Sequence, residues 1–154
     1  MKKLLTVLFI SALSISAFAQ SVDDYAEVVR SVISTEKKVL ITEVMQLSNS
    51  ESTAFWALYN EYQEKLYKVG TKRVQLIKDF AEHFDNMSDD KAKEVMLSAN
   101  AIDGEYLKLQ KSYTKKFLKI LPSKKVLRYF QAENKIKLLI DSKISSEIPL
   151  LNDL

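Results

Sequence analysis

The 154-residue sequence has no cysteine, two glycines, two prolines and a single histidine, His83. Without cysteine there can be no disulfide scaffold, zinc finger or thiol nucleophile. One histidine leaves no serine-hydrolase triad and no multi-histidine metal centre. So few turn formers cannot supply the loops of a many-stranded sandwich or barrel. A phosphate-cradling glycine loop is also missing, and carboxylates such as Glu61 and Glu64 fall at ordinary exposed helix positions. The expectation is an all-α protein that is not an enzyme, with no catalytic residue, no metal site and no cofactor.

Long apolar runs are equally scarce. The one candidate lies at the start, where Lys2 and Lys3 precede an apolar stretch over residues 4–10. Ser11, Ser14 and Ser16 interrupt it before Ala17-Phe18-Ala19. A membrane span needs about 20 apolar residues. A charged start, a short apolar centre and an A-x-A site instead describe a Sec signal peptide over residues 1–19, cleaved after Ala19. No cysteine follows it to carry a lipid. Loss of Lys2 and Lys3 takes the formal charge of +3 close to neutral, so the apparent basicity belongs partly to the export signal. The mature protein is expected in the periplasm, where nucleic acid is not an expected partner.

What remains reads as helix. Tyr25, Val28, Val32, Val39 and Val44 fall near helical spacing between residues 23 and 46, with Asp23, Asp24 and Glu27 at the favourable N-terminal end. Ser48 and Glu51 form a capping box that starts a helix running to about Asn86. Ser88, followed by Asp89 and Asp90, starts the next, patterned through Ile120. Pro122 breaks or restarts the chain, since it has no amide hydrogen to donate. Val126, Tyr129, Phe130, Ile136 and Ile140 then make a last apolar stripe. A helical domain over residues 20–141 and an irregular tail over residues 142–154 are predicted.

The two middle helices match when folded against each other around Met87. Phe55 then meets Ile120, Tyr62 meets Tyr113, Leu66 meets Leu109, Val69 meets Tyr106, Leu76 meets Ala99 and Phe80 meets Val95. Apolar against apolar at almost every level predicts a long antiparallel helical hairpin with shorter N- and C-terminal helices. Its first helix would be roughly 58 Å long, more than a compact domain of this size can cover. A homodimer is the simplest cover. Gly70 and Gly104 face each other in this register, which suggests close backbone approach, a bend, or room for Tyr106. Arg73, on an apolar level opposite Ile102, is expected to snorkel to the surface.

Charge is segregated. Eight acids lie between Val22 and Glu64, and acids dominate again from Asp79 to Glu105. From Tyr106 to Ala132 there are eight bases and no acid. In the predicted register Lys65 and Lys68 lie level with Lys111 and Lys108. Together with Lys115, Lys116, Tyr113 and Phe117 they form a basic-aromatic half of the hairpin. It would attract acidic protein segments, or more weakly an anionic membrane surface, unless the acidic N-terminal region neutralises it. The acidic turn from Glu82 to Asp90 lacks the spacing of a calcium loop and a second histidine for a transition metal; capping and solvation account for it.

Two short segments, Leu47-Ser48-Asn49-Ser50-Glu51 and Leu121-Pro122-Ser123-Lys124-Lys125, start helices on either side of the predicted hairpin. Their order and placement resemble the Spy/CpxP family of periplasmic stress proteins and its paired LTxxQ motifs. Leu47, Glu51, Leu121 and Lys125 occupy the matching motif positions. Glu and Lys stand where the family has Gln. The resemblance implies an all-α, dimeric, cradle-like fold and an ATP-independent holdase-like chaperone of envelope stress. Alternatively it implies a regulatory module that docks to the periplasmic domain of a sensor kinase. A third, metal-responsive branch of the family binds metal through several histidines, of which this chain has only His83.

Overall fold

The computed structural model describes residues 36–151, and every regular element among them is helical. The signal peptide at residues 1–19, the expected start of the first helix at residue 23, and residues 152–154 lie outside the described residues. Helix α1 covers residues 36–45. It is followed by α2 (Asn49–His83), a single 3-10 turn (Phe84–Asn86), α3 (Asp89–Phe117) and α4 (Ser123–Glu147).

The helix starts follow from local chemistry. The Glu51 carboxylate accepts from the backbone N–H of Ser48 at 2.9 Å, and the reciprocal half of the capping box is present. The Ser88 hydroxyl accepts from the Lys91 amide at 3.2 Å, with Asp89 and Asp90 in the first turn of α3. α1 ends at Gln46, whose φ of 44° places a non-glycine residue in the left-handed conformation that usually favours glycine.

The helix ends differ from expectation. α2 stops at His83 rather than about Asn86 and tightens into the 3-10 turn. α3 stops at Phe117 rather than Ile120. The amides of Lys119 and Ile120 reach back only three residues, to Lys116 and Phe117, as the chain tightens ahead of Pro122. α4 runs to Glu147, so the irregular tail predicted from residue 142 begins later. Pairs four residues apart, Lys137 with Asp141 and Lys143 with Glu147, support the last turns. The stop comes at Ile148, which is extended because Pro149 disfavours the helical conformation in the residue before it.

Contacts between α2 and α3 climb one helix while they descend the other. Glu61 pairs with Lys116 at 2.9 Å and the rings of Tyr62 and Tyr113 lie 4.8 Å apart. Further along, Lys72 pairs with Glu105 at 2.7 Å, Arg73 with Asp103, and Asp79 with Lys91 at 2.8 Å. Arg73 also reaches Asp141 of α4 at 3.8 Å. It ties three helices together instead of simply snorkelling. Neither glycine makes a close approach, since a methyl group added at Gly70 or Gly104 would meet nothing within 4 Å.

The core lies at one end. Ile41 and Met45 of α1 pack with Phe55, Tyr59 and Tyr62 of α2. Tyr113, Phe117 and Leu121 join them with Val126, Tyr129, Phe130 and Ala132 of α4. Phe55 touches Phe117 at 5.5 Å, Phe117 touches Tyr129 at 4.7 Å, and Ile120 packs against the same cluster. Beyond Tyr62 in α2 and before Tyr113 in α3, the only buried apolar residue of these two helices is Ile102.

Candidate protein-binding surface

The positions that carry the family resemblance meet in space. Lys125 at the start of α4 donates to Glu51 Oε2 at 2.5 Å, the same oxygen that caps the start of α2. These hydrogen bonds, from Lys125 first and then from Ser48, hold the Glu51 carboxyl at about 2, well below its ordinary 4.5. Leu121 is buried in the aromatic cluster and Leu47 packs against it. Acid at one motif and base at the other thus make a cross-link between two helix starts, where a pair of neutral amides would make a weaker one.

Behind this junction lies a buried polar network that the sequence pattern did not reveal. Lys37 of α1 and Glu133 of α4 are 8% and 3% exposed and pair at 2.8 Å. Gln63 of α2 accepts from Lys37 at 2.8 Å and donates to Glu133 at 3.1 Å. The phenols of Tyr59, Tyr62 and Tyr129 are pushed far up by burial, and the negative Glu133 adds to the shift. The available signal was the spacing of Glu133, three residues after Phe130 and three before Ile136, which places an acid within the apolar stripe of α4.

The predicted basic-aromatic half divides into three groups. Tyr113 and Phe117 are buried in the core and are not surface residues. Both lie on the face of α3 that carries Leu109 and Ile102, so the helical period that aligns them with the core removes them from solvent. Lys65, Lys68 and Lys116 are compensated by acids of α2. Lys65 and Lys116 share Glu61, at 3.3 and 2.9 Å, and Lys68 pairs with Glu64 at 3.0 Å. Tyr113 donates to Glu61 at 2.6 Å, and with Lys116 it lowers that carboxyl to about 2. The ammonium groups of Lys65 and Lys116 also sit 5.5 and 4.5 Å from the Tyr113 ring. Neutralisation by acids therefore holds for this part of the surface, and the acids come from α2.

Lys108, Lys111 and Lys115 are different. They are exposed, none has an ion-pair partner among the described residues, and they follow one another at spacings of three and four along a single face of α3. With Gly104, Leu107 and Ser112 they line an open groove of about 440 Å³. Exposed Leu97 and Leu118 extend the same face, seven residues from Gly104 and from Lys111 respectively. This face is opposite the core-facing side of α3. It combines uncompensated positive charge with exposed apolar side chains.

At the other end of α2, ligand atoms of Asp79, Glu82 and His83 lie within 4.8 Å of one another. The Lys91 ammonium already sits 2.8 Å from the Asp79 carboxylate, and His83 Nδ1 lies 2.8 Å from the Asp79 carbonyl oxygen. A cation there would have to displace an existing one. Comparison of the chain with protein-family models, with curated proteins and with solved structures gives no match.

Proposed function

We propose that this chain is an exported, non-enzymatic periplasmic protein of the Spy/CpxP kind, an ATP-independent holdase-like chaperone in envelope stress. Residues 1–19 direct it through the Sec pathway and are removed after Ala19. The mature chain works as a long antiparallel hairpin of α2 and α3, closed at one end by α1 and α4 and paired with a second copy. Clients are held by the outer face of α3, at Lys108, Lys111 and Lys115, with Leu97, Leu107 and Leu118 supplying apolar contact. The observation that carries this reading is the row of three lysines left without acids, on a chain whose other hairpin lysines are largely paired. Long-range attraction brings an unfolding chain to this surface, and short apolar contacts slow its departure.

Light scattering by a thermally unfolding client is the test. Stoichiometric protein is expected to suppress the signal, and Lys108→Glu, Lys111→Glu and Lys115→Glu together are expected to abolish suppression. The same change at Lys65, Lys68 and Lys116 should matter less, because those charges are already satisfied. Failure of the unaltered protein to suppress scattering, together with saturable binding of one sensor periplasmic domain, would replace the chaperone with a docking module.

A further inference from the structure

The groove on α3 has a feature that a flat cationic face does not need. One of the residues that line it is Gly104, in the interior of a 29-residue helix. Glycine there is a poorer helix former than alanine. No neighbour demands it, since a side chain at this position would enter open space. What a side chain would fill is the groove itself. One helical turn further on, Lys108, Lys111 and Lys115 occupy about 10 Å of helix axis at 1.5 Å per residue. Alternate residues of an extended chain stand about 6.6 Å apart, within reach of flexible lysine side chains set 4.5–6 Å apart along a helix of this rise.

We propose that this groove binds an extended acidic peptide segment, with its main chain lying over Gly104 and its alternate carboxylates on Lys108, Lys111 and Lys115. The inference names the client chemistry of the face described above and rests on that reading of it. The absent side chain at Gly104 lets the peptide backbone come close, Leu107 borders the cleft, and Ser112 offers a hydroxyl to the peptide backbone. An anionic bilayer fits less well. It is planar on this scale and would gain from an apolar side chain at position 104, so a notch there contributes nothing to it.

Two variants separate the possibilities. A fluorescently labelled decapeptide of alternating Glu and Ala should bind the purified protein, and its Gln–Ala counterpart should not. Gly104→Leu should weaken peptide binding about tenfold, equivalent to about 1.4 kcal/mol, while thermal unfolding stays unchanged or moves up. Lys108→Gln, Lys111→Gln and Lys115→Gln together should produce a similar loss. Sedimentation with phosphatidylglycerol vesicles completes the comparison. Peptide binding unaffected by Gly104→Leu, or vesicle binding strengthened by it without any peptide binding, overturns the proposal. If client scattering is suppressed through the three lysines but the acidic peptide fails to bind, the chaperone reading stands and this inference falls. If the peptide binds through Gly104 but no client is protected, the reverse holds.

Discussion

The two ends of the α2–α3 pair are built on different principles. Near Ser48 and Pro122, four helices enclose eight aromatic rings, and each of Phe55, Tyr62, Phe117 and Tyr129 touches at least three others. Toward His83 and Ser88 only Ile102 is buried, among half-buried apolar residues, and partly exposed ion pairs link the two helices at Lys72–Glu105, Arg73–Asp103 and Asp79–Lys91. Buried aromatic packing contributes several kcal/mol per side chain, whereas exposed ion pairs contribute about 0–1 kcal/mol each. One end therefore supplies the stability and the other, for the most part, supplies length.

That contrast can be broken most sharply at its polar centre. Lys37→Met should cost about 3–5 kcal/mol in urea unfolding, because it leaves Glu133 buried without its cation. Lys37→Met combined with Glu133→Leu should recover most of the loss. Arg73→Met, at an ion pair of the other half, should cost no more than about 1 kcal/mol. Similar losses for Lys37→Met and Arg73→Met would erase the distinction between the ends.

A smaller effect is expected in the opposite direction. Gly70 is helical, and added bulk there would meet nothing, so Gly70→Ala should stabilise by about 1 kcal/mol. Its gain should be seen chiefly as slower amide hydrogen exchange between residues 68 and 104, with little change around Tyr62 and Tyr113.

The smallest effect is a pH dependence. Glu51 and Glu61 both have folded pKa values of about 2 against an ordinary 4.5. Their contribution is fully present above about pH 4.5 and is lost as pH falls toward 2. Glu61 is exposed and Glu51 partly so, so screening keeps the contribution modest and salt should reduce it. Glu51→Gln with Glu61→Gln should flatten the decline of the thermal midpoint between pH 4.5 and 2 and leave its slope above pH 6 unchanged.

Sequence pattern alone exposed the helical class, the starts at Ser48 and Ser88, and the meeting of Tyr62 with Tyr113. Each depends on interactions within a few residues or on a repeated apolar period. Assigning lysines to a face failed where two criteria conflicted. Tyr113 cannot be both a core position and part of a basic surface, and only the first is compatible with a helical period. Phe117, four residues later, follows it inward. Lys108, Lys111 and Lys115 could have been separated from Lys116 by the same wheel. The pairing of Lys65, Lys68 and Lys116 depends on Glu61 and Glu64, carboxylates first read as ordinary exposed positions. Glu133 escaped notice because its partners, Lys37 and Gln63, are 96 and 70 positions away.

The reach of α2 has a mechanical consequence. From Tyr62 to His83 the helix continues for about 30 Å at 1.5 Å per residue, beyond most of the aromatic packing. Such an arm acts as a lever. A tilt of about 10° at the packed end carries the tip about 5 Å, the scale of one helical turn, so small adjustments among the rings become large displacements at Asp79 and Lys91.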